Sequence, residues 1–315
     1  MTAVRIRDIA PRLAFQAHQV ETAVKVELVD RLTDAGVRAV EVSSFVNPKL
    51  VPGLADAADV FARVKRPAGV SLECCVANVR GLKQAIDAGA HAAWFLLSAD
   101  ATFSQLNTGR TIDDSLAELE RMRGVVEGSG TKLGTYLIAT FGGSVGTPRG
   151  PGDVHPVARR LIGFDVRDWI LADLCGYAAP PQIAEMVRWA SELTGIERLN
   201  LQVHDSRGMG LANVAEAVRA GLVNIDLALA GSGAHPASPG ALVGGTCTED
   251  AVQMLERMGV ETGVDLPALI DAANWLDGVL GGTGMGFVRK SGAVPRSAAD
   301  AEEQAAGRGF AWTGK

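Results

Sequence analysis

The sequence predicts an α/β chain that closes into a (β/α)8 TIM barrel with extra C-terminal helices. Three observations lead there. Short apolar segments alternate eight times with helical patterns, the signature of βαβ units joined by right-handed crossovers. Segments such as 92–97 (AAWFLL) are apolar throughout, as strands are when helices cover both sheet faces. Polar residues stand at or just past the ends of many strands: Arg12, Glu41, Asn78, Asp173, His204 and His235. An open doubly wound sheet would gather its ligand-binding residues at one switch point, whereas a barrel brings every strand end to one mouth.

The elements follow in order. Residues 4–9 form the first strand, ended by Pro11, and 12–19 read as a loop. Residues 21–35 are helical, with Val24, Leu28 and Leu32 at a spacing of four and Gly36 as the stop. Strand 39–43 places Glu41 near its carboxyl end, and a loop leads to helix 54–64. Strand 70–76 is followed by Asn78 and helix 79–88. Strand 92–97 precedes helix 111–128, which Thr111 caps. After strand 133–140 comes a loop over 141–153 with five glycines and two prolines, a length that marks functional loops. A short helix spans 157–162. Strand 168–172 ends in Asp173, and helix 181–193 follows. Strand 200–203 delivers His204 and Asp205 ahead of a glycine turn and helix 213–220. Strand 224–228 runs into the turn 231–236, which carries His235. Helices 249–258 and 266–280 complete a barrel domain over 1–280. The Gly/Ala-rich tail, 281–315, is expected to be largely extended or disordered.

Composition bounds the function. With 315 residues, 47% hydrophobic and 21% charged, the chain can bury a large core. No apolar run reaches about 18 residues, so no membrane span is expected. The first residues lack the apolar core of a secretory signal. A net charge of −6 argues against nucleic acid as a partner. The four cysteines, Cys74, Cys75, Cys175 and Cys247, match no zinc spacing and read as reduced, buried thiols of a cytoplasmic protein.

Arg12, Glu41, Asp173, His204 and His235 together suit carbon–carbon cleavage beside a carbonyl. An arginine holds a carboxylate or enolate, a carboxylate takes a proton, and a histidine exchanges protons near neutrality. The plainer alternatives are strand-end polar groups that satisfy loop backbone, and salt-bridge partners for Arg12. No phosphate-binding glycine loop is present; Gly142-Gly143 and Gly244-Gly245 read as turns.

Several segments together resemble the hydroxymethylglutaryl-CoA lyase family of the metal-dependent lyase and aldolase group. Glu41 to Lys49 with Val51-Pro52 is similar to that family's E-x-x-S-F-V-x-P-K-x-V-P segment. Val203-His204-Asp205 with Leu211-Ala212-Asn213 resembles its H-x-H-D and L-A-N segments. Ala230-Gly231-x-Gly233 and Thr248-Glu249-Asp250 resemble A-G-x-G and T-E-D. The resemblance runs over about 4–280 and implies a barrel lyase acting on a carboxylated or CoA-linked acid.

The family's site carries over only in part. Its R-D-G-L-Q motif is matched at Arg12 and Gln16, but the metal-ligand aspartate is Leu13. Its two metal histidines fall on Gln202 and His204, and its ligand asparagine on Gly245. Its catalytic cysteine is His235. Three of four ligand positions are therefore replaced. Magnesium or manganese is the family default, but no cofactor is assigned, and His204 is the single ligand left. The expectation is a lyase of retro-aldol or retro-Claisen type working without the usual metal. Arg12, Glu41, Asp173, His204 and His235 are its catalytic candidates, and Gln16, Asn78 and Tyr136 its substrate-binding candidates. A metal-dependent hydroxymethylglutaryl-CoA lyase and a non-catalytic ligand-binding barrel remain alternatives. A homo-oligomer is compatible with the resemblance.

Overall fold

A computed structural model describes residues 3–143, 146–233 and 244–306. Eight parallel strands close into a barrel in sequence order. They are β1 (Arg5–Asp8), β2 (Ala39–Phe45), β3 (Ser71–Val76), β4 (Ala92–Ser98), β5 (Lys132–Ile138), β6 (Trp169–Asp173), β7 (Leu199–Val203) and β8 (Asn224–Leu227). β8 pairs with β1 through Ile6 opposite Ile225 and Asp8 opposite Leu227, which removes every sheet edge. The helices are α1 (Ala10–Phe15), α2 (Thr22–Asp34), α3 (Ala57–Arg63), α4 (Val79–Asp87), α5 (Ala101–Thr108), α6 (Ile112–Val126), α7 (Pro151–Gly163), α8 (Pro180–Thr194), α9 (Gly210–Arg219), α10 (Thr248–Arg257), α11 (Leu266–Val279), α12 (Val288–Ser291) and α13 (Ala298–Ala305). Among the described residues no helix is long and apolar enough to cross a membrane.

The eight strands stand where the periodicity puts them, and the departures lie between them. Residues 12–19 do not form a loop throughout, because α1 begins at Ala10. Pro11 opens that helix instead of ending a strand: at the first turn its missing N–H costs nothing. The 141–153 loop is shorter than expected. Pro151 starts α7, and the Asp153 carboxylate accepts from Gly150 N at 2.9 Å. The α5 helix was absent from the periodicity; the Asp100 carboxylate caps it by accepting from Phe103 N at 2.7 Å. α9 starts three residues earlier than its apolar pattern, at Gly210, whose N–H donates to Asp205 Oδ1 at 2.7 Å.

Within the described residues after 281, up to 306, the chain is not largely extended. It forms α12 and α13, and side chains of the preceding helices anchor it. Asp250 of α10 accepts from the backbone N–H groups of Phe287 and Val288, at 2.9 and 2.7 Å. Arg289 donates to Asp277 of α11 at 2.9 Å. Composition alone hides such anchoring, because the partners lie on other elements.

The barrel axis is unusually polar. Barrel interiors are commonly filled with branched apolar side chains. Here Arg7 of β1, fully buried, is flanked by Glu41, Glu73 and Asp226, from β2, β3 and β8. Trp94 Nε1 donates to Glu73 Oε2 at 2.7 Å, and Asn200 Nδ2 to Asp226 Oδ1 at 2.9 Å. The Arg7 guanidinium also lies 5.2 Å from the Trp94 ring centre. Buried charges are tolerated only when paired this fully. Burial pushes the Asp226 carboxyl up to about 6, although Arg7 pulls the other way.

Candidate active site

A cavity of about 830 Å³ opens at the carboxyl ends of the strands. Arg12, Gln16, Asn78, Tyr136 and Gln202 line it, with an apolar wall that includes Leu54, Leu96, Ile138 and Leu174. Leu50 and Leu106 stand at its rim, 78% and 64% exposed. The four expected residues Arg12, Gln16, Asn78 and Tyr136 thus meet in one cavity. Glu41, Asp173 and His204 are buried and are not part of its lining, and His235 lies outside the described residues.

Arg12 projects from α1 and is fixed from below. Its Nε donates to Glu41 Oε2 at 2.6 Å, and its Nη2 lies 3.4 Å from the Tyr136 hydroxyl. Glu41 Oε1 receives Arg7, the Tyr136 hydroxyl at 2.9 Å and the Cys75 thiol at 3.1 Å. Burial opposes ionisation of Glu41, but Arg12 and Arg7 outweigh it and hold the carboxyl down at about 2. The two guanidinium groups thus favour the ionised form of Glu41, which holds Arg12 by its Nε. Tyr136 shares this duty: its ring faces the cavity, while its hydroxyl is committed to Glu41.

His204 follows β7. Its Nδ1 lies 2.6 Å from the Leu174 carbonyl oxygen, so Nδ1 carries the proton and donates it there. Nε2 is then an unprotonated acceptor, buried and without a protein partner among the described residues. Burial pushes the imidazole down to about 4; the Leu174 carbonyl opposes this and the Arg12 charge adds to it.

Asp173 acts on His204 through the loop between them. Both its oxygens accept backbone N–H groups, from Tyr177 at 2.9 Å and Ala178 at 2.8 Å. These bonds fold the turn that presents the Leu174 carbonyl. Burial raises the Asp173 carboxyl against those N–H groups. Asn78 likewise spends its side-chain oxygen as the cap of α4, accepting from Gly81 N at 2.9 Å.

Gln202 is the residue that sequence reasoning passed over as a mere mismatch. It is fully buried, lines the cavity, and neither its Oε1 nor its Nε2 has a partner among the described residues. Arg7, Glu73 and Asp226 were missed as well. Their signal was available: charged residues inside otherwise apolar strands of a parallel barrel have no other place than the axis.

Among the described residues, those at the implied ligand positions do not make up the donor set of a six-coordinate magnesium or manganese ion. Leu13, at the position where the resemblance implies an aspartate, is fully buried and packs against the loop, so that a Cβ at Gly233 would run into it. Gly245 pairs with His204 in an isolated bridge, and a Cβ there would lie 2.9 Å from that of Ala228. The fold sets Gly245 beside His204, but Leu13 and Gly245 carry no donor side chain. Among the described residues no group of three His, Cys, Asp or Glu side chains can hold a metal.

Comparison with known proteins gives the same architecture and one family. A model of the HMGL-like family matches residues 3–276. The chain is 34% identical over 307 residues to an (R)-citramalyl-CoA lyase of Chloroflexus aurantiacus, covering 93% of this chain and 96% of that one. It is 31% identical over 280 residues to a hydroxymethylglutaryl-CoA lyase of Bacillus subtilis, covering 88% of this chain and 93% of that one. Among solved structures, a hydroxymethylglutaryl-CoA lyase from Acinetobacter baumannii, in complex with coenzyme A and 3-methylmalate, superposes with a TM-score of 0.89. The two are 30% identical, with 94% of this chain and 97% of that chain covered.

Proposed function

The chain belongs to the HMGL-like family of lyases, and from that premise we propose that it cleaves a carbon–carbon bond in a carboxylated hydroxy acid carried as a CoA thioester, without the family's divalent metal. The observation that carries the reading is Arg12, which lines the cavity with its guanidinium held by the buried Glu41, in a chain whose implied metal-ligand positions include Leu13 and Gly245. The relatives act on citramalyl-CoA and hydroxymethylglutaryl-CoA by name. Both substrates are hydroxy acids with a free carboxylate and a thioester.

The steps follow from the side chains. In this proposal the substrate hydroxyl reaches past Gln202, which lines the cavity, and gives its proton to the buried His204 Nε2, which is unprotonated at neutral pH. The carbon–carbon bond breaks, the alcohol carbon becomes a carbonyl, and the electron pair passes to the thioester enolate. Arg12 stabilises the negative oxygen that develops. The enolate carbon then takes up a proton, so the net change moves the hydroxyl proton to carbon. An imidazolium with its acidity raised by burial returns that proton readily. His235 on the 231–236 turn is the second proton carrier in this proposal. Glu41 and Asp173 are positioning residues, the first for Arg12 and the second for the loop that holds His204. Gln16 and Asn78 line the path of the substrate. The four described cysteines are unpaired and buried, which supports a reducing compartment such as the cytoplasm.

Incubating the full-length protein with hydroxymethylglutaryl-CoA and with citramalyl-CoA tests this. The expected result is release of a shorter acyl-CoA and a keto acid from at least one of them, read by mass spectrometry. Binding of both without cleavage of either would favour the non-catalytic barrel.

A further inference from the structure

We propose that Gln202 is the residue that receives the alcohol oxygen of the ligand and makes the site selective for hydroxy acids over their deoxy analogues; this rests on the reading of the cavity as a lyase site. A fully buried primary amide with neither end hydrogen-bonded is rare in folded proteins. It is retained where a ligand supplies the missing partners. Gln202 is on β7 and His204 directly follows that strand, two positions on, so continued alternation puts both side chains on one side of the chain; Gln202 lines the cavity and His204 is buried. Together they offer one donor and two acceptors: Gln202 Nε2, Gln202 Oε1 and His204 Nε2, all unpartnered among the described residues.

A hydroxyl group pairs the amide donor and one of the two acceptors. Its oxygen accepts from Gln202 Nε2 while its hydrogen points to His204 Nε2. The carbonyl formed after cleavage still accepts from the amide, so the contact persists through the reaction. A deoxy acid leaves Gln202 Nε2 and His204 Nε2 buried and unpaired, and a site built this way rejects it. A neutral amide holds the oxygen by direction, at a place where the resemblance implies that a cation held it by charge. Arg12 remains the partner for negative charge on the same cavity floor.

The test compares citramalate with methylsuccinate, which lacks only the hydroxyl, by calorimetric titration of the full-length protein, Gln202→Leu and Gln202→Met. The unaltered protein should prefer citramalate by at least about tenfold. Both variants should bind the two acids within about twofold of each other. Both should also melt higher, by about 2 °C, because an unpaired buried amide has been exchanged for an apolar group. An undiminished preference in the variants overturns the proposal, as does equal or absent binding of the two acids by the unaltered protein. A lower melting temperature with the preference intact assigns the amide a purely structural role and overturns it too. Turnover of the CoA thioesters is measured in parallel. No turnover together with a preference lost in the variants removes the lyase reading and leaves this inference standing.

Discussion

Glu41 divides its carboxylate between two guanidinium groups, Oε1 toward Arg7 and Oε2 toward Arg12. Arg12→Lys keeps the charge but loses the Nε contact and the planar fork. It should lower kcat/KM by about 10²–10³-fold while leaving the circular dichroism spectrum unchanged. His204 gives a pH signature. Its folded value of about 4 lies below the ordinary 6.5, so the native state holds fewer protons than the unfolded one between them. Its contribution is therefore complete above about pH 6.5 and is lost as pH falls toward 4, an effect of about 3 kcal/mol. Denaturant melts from pH 7 to pH 4 should show a shallower loss for His204→Gln than for the unaltered protein. Asp8 and Asp226, raised to about 7 and about 6 chiefly by burial, contribute in the opposite sense, and they do so in both proteins. Much of the residue scale was legible: Arg12, Gln16, Asn78 and Tyr136 do meet in one cavity. The hydrogen-bond partners of Glu41, Asp173 and Asn78 were not, because they come from other strands and turns and leave no trace in local spacing.

The loops above the barrel depend on elements that local pattern undervalues. α1 sets Arg12 over the axis, and Pro11, read as a stop, is what starts it. The segment after Gly281 binds the mouth from outside: Met285 N donates to Ala230 O at 2.8 Å, beside Gly231 and Gly233, whose positive φ values (57° and 91°) shape the turn. Asp250 and Asp277 both anchor that segment. Asp250→Ala should cost about 1–3 kcal/mol, since two backbone N–H groups lose their acceptor. Thermal melts read this directly, and an unchanged melting temperature would show that the segment is not held through Asp250. The strand cores were legible because apolar runs of fixed spacing have one solution. Helix starts were not, because they are decided by capping contacts such as Asp100 to Phe103 N and Asp153 to Gly150 N.

Across the whole molecule, a polar axis supports a polar mouth. Arg7 ties Glu41, Glu73 and Asp226 together beneath the cavity, and Arg12, Tyr136 and Gln202 form its floor. The barrel and the family follow from the strand pattern and the matched segments, while the proposed change in chemistry rests on Leu13, Gln202 and Gly245. The central claim is that this lyase site works through hydrogen bonds and a fixed guanidinium where its relatives' motif implies a cation. The most direct measurement is turnover of citramalyl-CoA and hydroxymethylglutaryl-CoA after exhaustive chelation, with elemental analysis of the same sample. Turnover that survives EDTA and gains nothing from added magnesium or manganese is the predicted result. Turnover that vanishes with EDTA and returns with either metal would contradict it.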